Sequence, residues 1–419
     1  MGVDDDAAER AGTGLGWSVA AAGTVTAVFA LSNAPTPLYV GWQEEWGFSS
    51  GLLSVIFAAY IAGLIATLLV AGRIADRLGR RVVLVPGVLL AVASSVLFLL
   101  AQDVTWLLVA RFLAGVAVGA AVTAGMAAVV DLAPARSRRR ASLLASTAMV
   151  FGAGLGPLIT GLLARSLDRP QVAVFAIMTA ITATGATLAV LLPLSRPAPA
   201  ARGSDRRWRF PAPPPERRRE LVWGIATFAP GITATSFVLS LGPSVLYEAV
   251  GVTDPLLAGV IACAMFLAAT SVQFALARLS TRTHLLLSSL AAVVAMILLG
   301  LTVTVLPSLV VLTAAALLAG VAQGLGQLAG LTLIATRIPA ARRAESNAAL
   351  NIAGYIPAAL LPVATGYLAD TTGLHAAVAA FASVLGLTAA TALVAVRAHT
   401  STYLRPDEAG SDSTERSRR

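Results

Sequence analysis

Gly72-Arg73-Ile74-Ala75-Asp76-Arg77-Leu78-Gly79-Arg80-Arg81 is the stretch on which the fold of this chain turns. Five charges crowd a short turn between two long apolar runs, residues 51–70 and 82–100. A basic turn holding a helical hairpin on one side of a bilayer would account for the arginines. It leaves Asp76 and the two spaced glycines, Gly72 and Gly79, without a reason.

Outward from that turn the chain is apolar. Its 419 residues are 57% hydrophobic and only 12% charged, with mean hydropathy +0.81. A soluble domain is charged at about 25% of its residues. A helix needs ~20 apolar residues to cross the hydrocarbon. Twelve runs qualify: 15–39, 50–70, 82–101, 105–130, 142–164, 172–192, 221–246, 256–277, 284–305, 308–334, 346–369 and 376–396. Backbone polar groups in lipid must be satisfied within each run, so these are helices. The predicted fold class is an all-α membrane protein of twelve spans.

The pI of 10.8 invites a nucleic-acid reading, and the placement of the charges rejects it. All 30 basic residues are arginine, and 27 fall on one side if the N-terminus is cytoplasmic. That bias is the positive-inside rule, with both termini in the cytoplasm, and it makes the basic runs topology signals and anionic-lipid contacts. The acidic start (Asp4, Asp5, Asp6, Glu9) argues against a removable signal peptide. Cys263 is the only cysteine, and His284, His375 and His399 are scattered, so no metal centre is expected. With no nucleotide loop and no acid pair inside a span, neither an enzymatic activity nor a cofactor is expected.

The chain repeats at an offset of 205 residues: Leu113-Ala114-Gly115-Val116-Ala117-Val118-Gly119 returns as Leu318-Ala319-Gly320-Val321-Ala322-Gln323-Gly324. The same offset relates Pro134 to Pro339, Pro157 to Pro362, Gly161 to Gly366 and Arg73 to Arg278. At a slightly larger one, Pro35, Leu38 and Tyr39 match Pro243, Leu246 and Tyr247. The organisation read from this is a cytoplasmic segment 1–14, a six-helix bundle 15–192, a Pro- and Arg-rich tether 193–220, a second bundle 221–397 and a polar, disordered tail 398–419.

Gly-x-x-x-Asp-Arg-x-Gly-Arg-Arg between spans 2 and 3 resembles the signature of the major facilitator superfamily of secondary transporters, complete at every position. The resemblance implies two pseudo-symmetric six-helix halves that rock about a mid-membrane site. It also implies a conformational latch built from Gly72, Asp76, Arg77, Gly79, Arg80 and Arg81. In that family the aspartate faces the start of span 11, here Glu345-Ser346-Asn347, with Ser346 or Asn347 as the expected N-cap. A carboxylate there gains ~0.3–1 kcal/mol. Asp131, at the end of span 4, is a candidate partner for Arg77 or Arg81, or an ordinary helix-end charge. The second copy of the loop carries Thr281 in place of Asp76, so the latch is expected to be lopsided.

Two further motifs resemble that family in part. Arg111 opens Arg-Phe-Leu-Ala-Gly-Val-Ala-Val-Gly-Ala in span 4, similar to Arg-x-x-Gln-Gly-x-Gly but lacking the Gln and the second Gly. About five residues from Trp106, it lies ~7.5 Å deep. There it either snorkels to the surface or serves proton or anion coupling at the outer vestibule. Gly152-Ala153-Gly154-Leu155-Gly156-Pro157-Leu158-Ile159-Thr160-Gly161 in span 5 resembles the antiporter motif, with Gly152, Gly156, Pro157 and Gly161 in place and Thr160 for a glycine. That motif marks exporters.

Asn33, Gln323, Gln327, Asn351 and Tyr355 are polar in otherwise apolar helices. Gln323 and Gln327 share one face, as do Asn347, Asn351 and Tyr355. They line a substrate cavity or hydrogen-bond between helices. No span core carries a carboxylate, so protons would have to use Asp76, Asp131 or the outer-loop acids Glu44, Glu45, Glu248 and Asp254. The expected protein is a monomeric inner-membrane exporter of a small hydrophobic or amphipathic compound, resembling drug/proton antiporters. It takes protons as coupling ion, lies in the lipid bilayer and binds no nucleic acid. Alternatives are an importer or exporter of sugars or other small metabolites, and a receptor or scaffold that has lost transport.

Overall fold

The computed structural model describes residues 2–194, 218–339 and 342–403, and among them there are no strands. Twelve helices are long and apolar enough to cross a membrane: Leu15–Trp46, Ser50–Ala75, Arg80–Leu99, Val104–Asp131, Arg140–Ser166, Pro170–Leu191, Arg218–Ser240, Pro255–Ala275, Thr281–Thr304, Leu309–Arg337, Glu345–Thr372 and Leu374–Ala398. They are called spans 1 to 12 below. The tether at 195–217 and the tail from 404 lie outside the described residues. An even number of crossings returns both ends of the bundle to one face, here the terminal face. Loops 2–3, 4–5, 8–9 and 10–11 share it, and loops 1–2, 3–4, 5–6, 7–8, 9–10 and 11–12 lie on the far face.

Spans 1 and 7 are not the single helices expected at 15–39 and 221–246. The first helix runs Gly2–Asn33, gives way to a tight turn at Thr36–Leu38, and resumes as Tyr39–Trp46. Pro35 and Pro37 supply no N–H to the preceding turn, so the carbonyl ladder is interrupted there. Span 7 repeats the break: Arg218–Ser240 is followed by a short helix, Gly242–Glu248, with Pro243 near its start. Span 4 carries a wide π turn at Ala121–Gly125, and the turn between spans 2 and 3 pivots on Gly79. With φ 99 and ψ 157, Gly79 occupies a region closed to L side chains, which is why this motif position is glycine.

Lipid offers no hydrophobic drive between helices, so close packing at small residues has to hold the bundle. The two halves meet along two seams, span 2 against span 11 and span 5 against span 8. On the second seam a Cβ at Gly161 would fall 2.8 Å from the Pro255 carbonyl oxygen. Only glycine lets the two backbones approach so far at the far face.

Candidate functional site

Arg111 is fully buried, so it does not snorkel. Its Nη1 donates to the Ser32 carbonyl oxygen and its Nη2 to the Tyr39 hydroxyl. The guanidinium carbon lies 5.2 Å from the Tyr39 ring centre, 5.5 Å from Phe57 and 5.9 Å from Tyr60. Its Nε has no partner. A buried cation normally demands a carboxylate, yet the contacts found here are a carbonyl, a hydroxyl and three π faces.

The break in span 1 explains that choice. In an unbroken helix the Ser32 carbonyl would accept from residue 36, but the chain turns at Ala34 and the ladder resumes only with Leu38 donating to Pro35. The Ser32 carbonyl is therefore a buried acceptor left out of the ladder at the C-terminal, negative end of a long helix, where a cation is favoured. Arg111 caps it. The aromatic faces add cation–π attraction that strengthens on desolvation.

The second half has no such charge. At the repeat offset Arg111 corresponds to Ala316, which lines an apolar void of about 20 Å³ with Phe237, Pro243, Leu246 and Met296. A void so lined has no polar partners to hold water. The charge at this level belongs to one half alone.

Around the terminal-face loop, the helix Ser50–Leu78 carries Gly72, Asp76 and Arg77, and the following helix opens with Arg80 and Arg81. The Asp76 side chain lies outside the described residues. Asp131 pairs with Arg80, 3.4 Å apart, rather than with Arg77 or Arg81. Arg81 instead donates to the Val190 carbonyl at 2.7 Å, tying span 3 to the end of span 6, while Arg77 is exposed. The Asp131 carboxylate is 56% exposed, so this pair is a weak link.

The expected cap at span 11 is also corrected. The helix starts at Arg343 with Arg342 at the N-cap position, so Ser346 and Asn347 lie inside it. Arg-Ala-Glu is helix-favouring and carries the helix back a turn. Glu345, in that first turn, pairs with Arg342 at 3.0 Å. Ser346 is buried and its hydroxyl has no partner. In loop 8–9, Thr281 begins span 9 behind an ordinary Ser280 cap, and His284, at the repeat position of Gly79, lies 2.8 Å from the Leu276 carbonyl oxygen.

The span 5 motif divides between two neighbours. A Cβ at Gly156 would lie 2.9 Å from the Ala30 carbonyl carbon and closer still to its oxygen, and one at Gly152 2.9 Å from Phe29 Cβ. Both glycines therefore seat span 5 on span 1 of the same half. Gly161 and the Pro157 carbonyl face Leu256 and Gly259 of span 8 in the other half. Thr160, at the expected glycine position, is buried with no partner for its hydroxyl.

The polar residues expected in a cavity are placed variously. Asn33 is buried and its Nδ2 lies 3.5 Å from the Ala153 carbonyl, a link between spans 1 and 5. Asn351 donates to Asn347 one turn back on its own helix, at 2.8 Å. Gln327 and Tyr355 are half-buried, and Gln323 is half-buried with an unpartnered side-chain oxygen. Tyr355 packs against two buried clusters, each drawn from both halves.

On the far face a solvent-open basin of about 1140 Å³, confined to the outer helix ends and loops, is lined by Glu44, Glu45, Asp168, Arg169, Tyr247 and Asp254, among others. A hydrogen bond to the Glu44 carboxylate raises the Tyr247 phenol above its ordinary value. Sequence reasoning did not single out Ser32, Phe57, Tyr60 or Asp370.

A twelve-span bundle in two related halves, with a complete charged signature between spans 2 and 3, is the architecture of a secondary transporter. The chain belongs to the Major Facilitator Superfamily, whose model matches residues 20–356. Multidrug resistance protein MdtL of Escherichia coli is 38% identical over 96 residues, 23% of this chain and 24% of that protein. The form of that protein in Shigella boydii matches equally. The chain therefore matches about a quarter of the length of these curated relatives. Among solved structures, a POT family transporter in complex with a thioalcohol-conjugated peptide superposes with TM-score 0.74 at 14% identity, covering 91% of this chain and 96% of that one. The nucleoside transporter NupG gives 0.70 at 12% identity, covering 91% and 99%. A bacterial homolog of the human lysosomal transporter Spinster, inward-facing and unoccupied, gives 0.67 at 18%, covering 91% and 96%. These likenesses establish the fold.

Proposed function

We propose that this transporter exports a small hydrophobic or amphipathic compound across the bacterial inner membrane in exchange for protons. The terminal face is cytoplasmic in this reading, as the arginine bias demands. The observation that carries it is the division of the span 5 motif. Gly152 and Gly156 lock span 5 to span 1, while Pro157 and Gly161 press it against span 8 of the opposite half. Span 5 is thus packed to transmit tilting of one half against the other, and the motif it bears marks exporters. The partial likeness to a multidrug resistance protein supports the same direction.

Arg111 is the residue of this reading that serves coupling. Its guanidinium raises the cost of a second positive charge nearby, so protonation of neighbouring groups and occupancy of the site by cargo compete. Asn33, Gln323, Gln327, Asn351 and Tyr355 contribute polar contacts to the cargo path, and the loop from Gly72 to Arg81 with Asp131 closes the cytoplasmic side. The protein acts as a monomer in the bilayer.

Everted membrane vesicles test this. With an acidified lumen, a panel of amphipathic fluorescent dyes should accumulate in vesicles carrying the protein and leave when the gradient is collapsed. Uptake indifferent to the gradient, or driven only by the reverse gradient, would overturn the exporter reading.

A further inference from the structure

Span 2 begins at Ser50, and its first N–H groups have no partner within the helix. Leu52 N–H donates to its own cap, Ser49 Oγ, at 3.2 Å. The other two cross to the opposite half: Ser50 N–H reaches Asp370 Oδ1 at 2.9 Å, and Gly51 N–H reaches Asp370 Oδ2 at 3.1 Å. Asp370 stands at the far-face end of span 11. Its carboxylate straddles the N-terminus of a 29-residue helix, where peptide dipoles favour an anion.

The other seam is built to the same plan with the charges exchanged. Asp254 caps span 8 of the second half, accepting from Leu256 N–H at 2.9 Å. Its Oδ2 lies 3.4 Å from Nη1 of Arg165, at the end of span 5 in the first half. The repeat offset of 205 superposes Ser49 on Asp254 and Arg165 on Asp370. On one seam the carboxylate crosses between halves; on the other it stays home and the cation crosses.

The backbone seats are equally specific. A Cβ at Gly51 would fall 2.5 Å from the Tyr367 ring and 2.7 Å from Asp370 Oδ2, and one at Gly366 2.5 Å from the Ser50 carbonyl oxygen. Neither contact survives separation of the far-face ends.

We propose that Asp370 on span 2 and Arg165 on Asp254 are paired clasps that hold the far face shut, and that Asp370 dominates. The inequality follows from what opening leaves behind. When Arg165 withdraws, Asp254 still caps its helix, and a 60% exposed arginine side chain returns to water at little cost. When Asp370 withdraws, two backbone N–H groups and a carboxylate each lose a charge-assisted bond. The clasps rest on the rocking motion of the proposed function but not on cargo, direction or coupling ion.

The test is a pair of spin-label distances in the full chain, purified into lipid nanodiscs on a Cys263→Ala background. Labels at Glu45→Cys and Thr372→Cys report the far face, and labels at Ser142→Cys and Thr336→Cys report the terminal face. Asp370→Ala should raise the ratio of long to short far-face distances about threefold, as expected for a carboxylate lost from a helix N-terminus. Arg165→Gln should change it less, and Gly366→Val should force most molecules into the long population. Asp370→Glu should restore most of the short population, which separates a lost clasp from a damaged fold. An unchanged far-face distribution in Asp370→Ala, or an equal effect of Arg165→Gln, overturns the proposal. Far-face opening in Asp370→Ala without terminal-face shortening would keep the clasp and refute the rocking motion instead.

Discussion

Gly156→Ala and Gly161→Ala add the same methyl group to the same helix, and the structure assigns them different consequences. At Gly156 the new carbon would sit 2.9 Å from the Ala30 carbonyl carbon and closer to its oxygen. A tolerable carbon–oxygen approach is ~3.3 Å, so span 5 must retreat from span 1 by ~1 Å or more. The obstacle is backbone, which no rotamer change relieves. Overpacking of this kind costs about 1–3 kcal/mol. Both helices belong to one half, so the penalty applies in every conformation. At ~2 kcal/mol, and about 2–4 °C per kcal/mol for a unit the size of one half, the thermal midpoint should fall by ~4–8 °C. At Gly161 the new carbon meets Pro255 O at 2.8 Å and Leu256 Cα at 2.9 Å, across the seam between halves. That clash vanishes when the far face opens. Gly161→Ala should leave the midpoint nearly unchanged and lengthen the far-face label distances, whereas Gly156→Ala should lower the midpoint with the distances unaltered. Equal midpoint losses in both variants would refute the division of span 5 between its two neighbours.

Arg111→Met should fold, because relief of a buried charge offsets the orphaned Ser32 carbonyl and Tyr39 hydroxyl to within ~1–3 kcal/mol. It should nevertheless lose gradient-driven dye uptake at least ~10-fold, a barrier change of ~1.4 kcal/mol. Arg111→Lys should fail similarly, since one ammonium cannot reproduce the two-pronged contact. Asp131→Asn should shift the thermal midpoint by no more than ~4 °C, since an exposed pair contributes ~0–1 kcal/mol. The Glu44 carboxylate holds the Tyr247 phenol above 10.0, so this bond between the halves is intact below that pH and is lost as pH rises through the raised value. Glu44→Gln should bring tyrosinate formation to lower pH in ultraviolet difference spectra; an unchanged titration would show that Glu44 does not hold the phenol.

The spans were legible because bilayer thickness imposes a length on apolar runs, and the halves because Leu113–Gly119 recurs at Leu318–Gly324 in register. The site was legible only where one residue type admits one explanation. Gly79 at a φ closed to other residues and Gly156 against the Ala30 carbonyl are such cases. The partner of Asp131 was not legible, because Arg77, Arg80 and Arg81 are chemically alike and helix phase alone selects among them. The burial of Arg111 was hidden for a related reason. Depth along span 4 is fixed by counting residues, but the direction of the side chain depends on where span 1 breaks. Pro35 and Pro37 mark that break, yet the run 15–39 reads as one span by length and apolarity, and the effect on the Ser32 carbonyl emerges only with both helices placed. Asp370 reads in sequence as an unremarkable helix-end acid; its meaning comes from a helix start 320 residues earlier.

A cation buried in one half, with only an apolar void lined by Ala316 at the equivalent position of the other, makes the interior electrically one-sided. A monovalent cationic solute 10 Å from Arg111 would meet a repulsion of ~1.7 kcal/mol at an effective dielectric constant of ~20. Such a solute would be driven toward the wall formed by the later spans, while an uncharged one would feel no such bias. Under the proposed function, the lopsided field would sort solutes by charge before any shape-specific contact is made.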